Sequence, residues 1–393
     1  MYNNNDAYDI FHAILQDCNT VGLQQLEPAL RAGKKLKIKF GCDPTQPDIH
    51  LGHCVVLEKL KVLQELGHQI VFIIGDCTAL IGDPTGKNVT RPPLALETIH
   101  TNAQTYQAQI FQILDATQTI VVYNSTWLHQ FTLAGLLPLF AKMTIAQLLN
   151  RQDFKGRLQA QKPIGIHEII YPILQAYDSV HLKSDLEIGG EDQLFNLLLG
   201  RELQTNYQQI PQAVVTVPLM LGTDGHKKMS KSLHNAIHLQ DPYMFAKIMS
   251  LSDALMAQYI HLLHVPLPNP ATIVGARLKD LKMALATYIT ERYQGAEAEK
   301  QQRALFLNVV STKQEPLQTI ELQTSLSSMT LIQILKTLKL VESTSQAKRL
   351  ITQKAIDIDH RVVNDINYLI SIPSTFHCKI GKKLFTTIKT QLT

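Results

Sequence analysis

Long apolar runs are missing from this 393-residue sequence. No stretch approaches the roughly 18 apolar residues that cross a bilayer, so no membrane partner is expected. The first residues, Met1-Tyr2-Asn3-Asn4-Asn5-Asp6, lack the basic-then-apolar plan of an export signal, which gives a cytoplasmic expectation. Cysteine is sparse and scattered: Cys18, Cys42, Cys54, Cys77 and Cys378 form no close pair at metal or redox spacing. They read as free thiols in a reducing compartment, and no protein-held metal is expected. Charge of one sign is also scarce, with a net of only +4. It is unevenly placed, because residues 326–393 carry a net of +6 and the rest a net of −2. A small basic tail on a nearly neutral body suits a polyanionic partner. With 45% apolar and 18% charged residues the chain reads as folded and globular, and its length implies two or three domains.

What is present centres on residues 36–66. Leu36-Lys37-Ile38-Lys39-Phe40 alternates like a strand, and Val55, Leu57, Leu60, Val62, Leu63 and Leu66 recur at helical spacing until Gly67. Between them lies Gly41-Cys42-Asp43-Pro44-Thr45-Gln46-Pro47-Asp48-Ile49-His50-Leu51-Gly52-His53. A strand-loop-helix of this kind aims backbone N–H groups at an anion. Gly52 would let a flat ligand approach the backbone, and His50 and His53 can donate to phosphate oxygens. Gln69-Ile70-Val71-Phe72-Ile73-Ile74 then reads as a buried parallel strand, completing the unit of a doubly wound sheet. A further strand is expected at Thr119–Tyr123, one through Val180 to Leu186, and one at Ala213–Leu219.

About 175 residues beyond His53 stands Lys227-Lys228-Met229-Ser230-Lys231-Ser232. The two stretches in this order resemble the paired signatures of class I aminoacyl-tRNA synthetases, His-Ile-Gly-His and Lys-Met-Ser-Lys-Ser, with Leu51 in place of the isoleucine. The signature residues are then Pro44, Thr45, His50, Leu51, Gly52, His53, Lys228, Met229, Ser230, Lys231 and Ser232.

Three further segments narrow the resemblance to the bacterial-type tyrosyl-tRNA synthetases. Glu168, Tyr171, Gln175 and Asp178 share one helical face, and Tyr171, Gln175 and Asp178 match the family's Tyr-x-x-x-Gln-x-x-Asp helix. Asp83-Pro84-Thr85-Gly86-Lys87 is similar to a family segment whose aspartate meets the substrate ammonium, with Lys87 and Arg91 then facing pyrophosphate or tRNA. Gly189-Gly190-Glu191-Asp192-Gln193, by itself either a ribose-contacting strand end or a tight turn before a helix, matches the family's Gly-Gly-x-Asp-Gln. The resemblance implies that Asp83, Tyr171, Gln175, Asp178 and Gln193 bind tyrosine, with Asp178 accepting from the phenol hydroxyl. It gives Gly52, Lys87, Arg91, Gly190, Asp192 and Lys231 to ATP, and His50, His53, Lys228 and Lys231 to catalysis. Many family members carry a second phenol-contacting tyrosine just before the Gly-x-Asp-Pro stretch; here Lys39 and Phe40 stand there.

The resemblance implies a Rossmann-like α/β catalytic domain at 1–235, a helical anticodon-side domain at 236–325 and a small basic α+β RNA-binding domain at 326–393. In the last, Lys348, Arg349, Lys354 and Arg361 would meet RNA phosphates. Met143 to Arg157, by periodicity an amphipathic helix with a basic end, is similar to a segment near the family's subunit contact, which implies a homodimer. The implied reaction joins L-tyrosine to ATP, with magnesium on the triphosphate, and passes the tyrosyl group to tRNA(Tyr). A tryptophanyl-tRNA synthetase and an inactive RNA-binding relative are the alternatives. The Tyr-x-x-x-Gln-x-x-Asp helix and the basic tail disfavour the first, and the intact His50, His53, Lys228 and Lys231 disfavour the second.

Overall fold

The computed structural model describes residues 4–85, 95–270, 277–312, 318–338, 340–341, 343–359, 361–381 and 384–392. The chain divides into two compact units, residues 1–299 and 300–393.

In the first unit β2 (Lys37–Cys42), β3 (Gln69–Ile74), β4 (Thr119–Tyr123), β5 (Leu186–Gly190) and β6 (Ala213–Val217) lie parallel, and β1 (Asn19–Val21) runs antiparallel on the β6 edge. The order is β1-β6-β5-β2-β3-β4. From β2 the chain winds through β3 to β4, then returns to the other flank with β5 and β6. The direction therefore reverses between β2 and β5, and a crevice opens beyond their carboxyl ends, where doubly wound sheets take their ligands. Ile38, Phe72, Ile188, Val214 and Val215 are buried as the two-sided cover of a parallel sheet requires.

Most expected elements form, and the exceptions have local causes. The chain is helical from Ile166 to Leu182, so Val180 to Leu182 finish a helix. Lys183 then turns left-handed at φ 50°, and the strand begins only at Leu186. Burial of Glu187 inside that strand hides its apolar character from the sequence. The edge strand β1 is three residues long with no periodicity to announce it. The segment expected as one amphipathic helix splits into Ile145–Leu149 and Gln152–Gln159. Thr144 and Gln147 cap the start of the first piece reciprocally. Arg151 stands at the break, turned inward and 4% exposed.

Helices Met244–Met249, Asp253–Leu262 and Arg277–Gln294 follow. Glu58, on the Leu51–Glu65 helix, accepts from Arg292 Nε at 2.7 Å and from the Tyr293 hydroxyl at 2.8 Å. This tie fastens the long C-terminal helix of the unit to the helix that begins at the first signature.

The second unit pairs a mixed sheet with two short helices. β7 (Gln318–Thr324) runs parallel to β13 (Leu384–Leu392), which continues antiparallel to β12 (Ser374–Ile380). β12 in turn pairs with β9 (Ile356–Ile358), and β9 with β10 (Arg361–Val362), while β8 (Ser328–Thr330) pairs with β11 (Leu369–Ser371) as a separate ribbon. Helix Thr344–Thr352 starts where Ser343 Oγ accepts from Gln346 N. Lys348, Arg349, Lys354 and Arg361 are all exposed.

Candidate active site

A cavity of about 420 Å³ occupies the crevice at the switch point, lined from β2, β3, β5 and β6 and from both signature stretches. It has a closed end under the Ile166–Leu182 helix, a middle rich in carboxylates and a mouth at the signatures.

At the closed end Asp178 is buried and ringed by neutral donors. One carboxylate oxygen accepts from Trp127 Nε1 at 2.9 Å and the other from Asn124 Nδ2 at 3.3 Å. Burial pushes its carboxyl up to about 7, with the nearby Lys39 charge as the largest opposing influence. Asn124 and Trp127 follow directly on β4, where a side chain leaving a strand end turns into the crevice.

In the middle, Tyr171 donates through its hydroxyl to Asp43 Oδ2 at 2.9 Å, and Thr78 donates to Asp43 Oδ1 at 2.7 Å. Asp83 accepts from Gln193 Nε2 at 2.8 Å and from both the N–H and the hydroxyl of Thr85. Arg151 reaches the same loop by donating to Thr85 Oγ1 at 3.1 Å, with Asp83 at 3.7 Å. Burial pushes Asp43 up to about 7, aided by the neighbouring Asp83 and Asp178 charges. Gln175 presents a buried side-chain oxygen, Oε1, without a partner. Acceptors crowded this way and short of donors suit a cationic ligand.

At the mouth His50 begins the Leu51–Glu65 helix, and its backbone N–H donates to His53 Nδ1 at 3.3 Å. The two rings lie 4.0 Å apart, and His50 Nδ1 is buried without a partner. Burial holds both imidazoles low, His53 at about 4, so in the free protein they are neutral donors rather than cations. The second signature closes on the first: Gly52 N–H donates to Met229 Sδ at 3.3 Å. A Cβ at Gly52 would meet the His50 ring at 3.0 Å, so any larger residue would press on that imidazole. The loop is pinned from behind, where Asn235 accepts from Ser230 N and donates to Asp224 and the Lys228 carbonyl. Leu51 N–H donates to the Ile237 carbonyl, which ties the helix start to the chain beyond the loop.

The two signature lysines hold different partners. Lys228 Nζ sits on Asp192 Oδ2, beside Gly190 at the end of β5. Lys231 donates to the Tyr106 hydroxyl at 3.3 Å and the Gln46 carbonyl at 3.4 Å, and burial lowers its ammonium to about 8. Pro44 is buried, Thr45 faces the cavity, and Ser230 and Ser232 face each other at 3.1 Å. Lys87 and Arg91 lie outside the described residues. Among the described residues no three His, Cys, Asp or Glu side chains converge as metal ligands.

The structure thus gathers His50, Gly52, His53, Asp83, Tyr171, Gln175, Asp178, Gly190, Asp192, Gln193 and Lys228 around one cavity. Lys231 stands behind it against Tyr106. Sequence reasoning gave no role to Asp43, Thr78, Tyr106, Asn124, Trp127 or Arg151. The first five were within reach, because each lies just beyond a parallel strand or, for Tyr106, on the Leu96–Ile110 helix, and Trp127 is the sole tryptophan.

Residues 31–310 match the family described as tRNA synthetases class I (W and Y), and residues 329–374 match the S4 domain. The chain is 44% identical over 375 residues to the tyrosine–tRNA ligase of Coxiella burnetii, covering 93% of this chain and 94% of that one. It is 43% identical over 392 residues to the tyrosine–tRNA ligase of Methylococcus capsulatus, covering 97% and 99%. In fold it is similar to the Archaeoglobus fulgidus tyrosyl-tRNA synthetase complexed with L-tyrosine, at 21% identity and a TM-score of 0.61 over 76% of this chain and 99% of that one.

Proposed function

The chain belongs to the tyrosyl-tRNA synthetases of class I, ligases that join tyrosine to tRNA, and from that premise we propose how its residues divide the work. One observation carries the reading: a single cavity runs from Asp178 through Asp43, Tyr171 and Gln193 to His50, Gly52 and Lys228. It matches a substrate with a phenol at one end, an ammonium in the middle and a carboxylate that must meet a nucleotide at the mouth.

Asp178 accepts from the phenol hydroxyl. Asp43, Asp83 and Gln175 Oε1 accept from the ammonium, with Tyr171 and Gln193 holding the two aspartates. Gly190 lets the ribose approach, and Asp192 accepts from its hydroxyls. The tyrosine carboxylate is already ionised at neutral pH, so its attack on the α-phosphorus needs no protein base. The rate then depends on aligned reactants and on stabilising charge that grows on the phosphates. His50 and His53, held neutral, contribute hydrogen bonds, and Lys228 and Lys231 contribute positive charge. Magnesium enters bound to the triphosphate, as part of the substrate. Lys87 and Arg91 serve pyrophosphate or tRNA.

Residues 1–235 serve activation, 236–325 face the anticodon side, and 326–393 hold RNA through Lys348, Arg349, Lys354 and Arg361, with β7 adding a strand to that last sheet. The chain works in the cytoplasm as a homodimer. Exposed Leu133, Leu137, Ile145, Leu158 and Ile166, all between residues 133 and 166, support that assembly. Sedimentation at micromolar concentration is expected to give a dimer.

The deciding experiment is exchange of labelled pyrophosphate into ATP with tyrosine, tryptophan and phenylalanine in turn. Exchange with tyrosine alone is the expected result. Exchange driven by tryptophan would overturn the assignment of the closed end.

A further inference from the structure

Lys39 lies at the closed end of the cavity with 1% of its surface exposed. A buried ammonium must be paired or lose its proton, and Lys39 is paired on every side. It bridges to Glu187 Oε1 at 2.8 Å and donates to Ser179 Oγ at 2.8 Å and to the Gln175 carbonyl at 3.1 Å. Three donors meet three acceptors, so none is left for a ligand. Its charge nevertheless acts on what lies beside it.

The network behind it is closed. Ser179 donates to Glu187 Oε2 at 3.0 Å, Gln212 donates to the same oxygen, and Ser184 donates to Gln212. Gln175 and Ser179 stand three residues before and one after Asp178 on one helix. Lys39 therefore grips the helical turn that presents Asp178. The direct partners of Asp178, Trp127 and Asn124, are both uncharged donors. The ionisable groups around it are Lys39 and Asp43 from β2 and its loop, Glu187 from β5, Asp76 and Cys77 beyond β3, and His181 on its own helix. Burial keeps His181 low, which leaves Lys39 as the cation of the group.

We propose that Lys39, held by Glu187, is a specificity-determining positioning residue: its charge favours the carboxylate form of Asp178 and its bonds fix that helical turn. The tyrosine hydroxyl then meets an anionic acceptor, and the Lys39 donors stay engaged elsewhere. The inference deepens the reading of the cavity given above and rests on it. Phenylalanine in this site would leave a buried carboxylate without its partner, which is the source of the discrimination.

The test is the pH dependence of KM for tyrosine in pyrophosphate exchange, with phenylalanine as the competitor, in the full chain. Lys39→Met is expected to raise the midpoint by about one pH unit or more, since a neighbouring opposite charge shifts a carboxyl by roughly 1–3 units. It also reduces the preference for tyrosine at pH 7 about fivefold or more. Glu187→Gln removes the competing anion and keeps the shape, so it is expected to move the midpoint down. The charge-balanced pair Lys39→Met with Glu187→Gln is expected to fall between them. Midpoints that stay at the wild-type position, or move the same way in both single variants, overturn the proposal. Should Lys39→Met fail to melt cooperatively, the near-isosteric Glu187→Gln decides alone, and no downward shift overturns it. Wild type that exchanges no tyrosine would overturn the cavity reading itself, a result visible before any substitution.

Discussion

Two carboxylates, Asp43 and Asp178, are held near 7 chiefly by burial, well above the usual carboxylate range. A carboxyl whose pKa rises on folding costs stability once ionised: the cost is absent below the ordinary value near 4 and complete above about 7. On the proposed assignment the same titration governs binding, because an ammonium and a phenol donor both favour the anions. Tyrosine affinity is therefore expected to rise as pH goes from about 6 to 8 and then level, a trend that equilibrium binding without ATP would reveal. Asp178→Asn is expected to lower kcat/KM for tyrosine by the equivalent of about 1.5–3 kcal/mol, the worth of a hydrogen bond to a charged group, while phenylalanine, with no hydroxyl to donate, loses less. Exchange assays with both amino acids check this, and an equal loss for both would reject it. Lys231→Ala is expected to slow activation with little change in tyrosine affinity, because Lys231 lies at Tyr106, away from the closed end. At this scale much could be read in advance. Tyr171, Gln175, Asp178, Asp192 and Gln193 stood out by spacing and resemblance, and the cavity holds them all. Arg151 and Lys39 could not be assigned, because a lone basic residue in a sequence reads as solvated until its buried partners are seen.

Elements were legible where periodicity was strong and obscured where burial of charge broke it. β3 and β4 carry unbroken apolar runs, and both form where expected. β5 holds Glu187 and two glycines in five residues, so nothing in its composition separated it from the helix before it. The network around Glu187 also sets how closely helix Leu194–Asn206 packs. A Cβ at Gly200 would lie 2.8 Å from Ser179 Oγ and 3.0 Å from Gln212 Nε2. Gly200→Ala is thus expected to destabilise the first unit by about 1–3 kcal/mol, as overpacking does. A lowered melting temperature with a raised KM for tyrosine would report it, because the displaced groups hold Lys39 and Glu187. An unchanged melting temperature would show that the helix can retreat at no cost.

Over the whole chain, charge separates tasks more clearly than sequence order does. The exposed Lys348 and Arg349 lie on a helix of the second unit, far along the chain from the signatures. Lys348→Ala with Arg349→Ala is expected to leave pyrophosphate exchange intact and weaken tRNA binding, with the salt slope of binding reduced by about two. A filter-binding titration across salt concentrations measures it. Composition foretold that basic tail, but not that β7, from the polar stretch ahead of it, would join its sheet. One contact in the first unit has a temporal meaning. Lys228, proposed above for the phosphates, rests on Asp192, proposed for the ribose. Under those roles a nucleotide that takes the carboxylate would set the lysine free in the same act, making sugar recognition and phosphate capture two inputs of one logical conjunction. A bare triphosphate would supply only one of them and leave the lysine engaged, so the resting protein would be armed by a complete nucleotide rather than by charge alone.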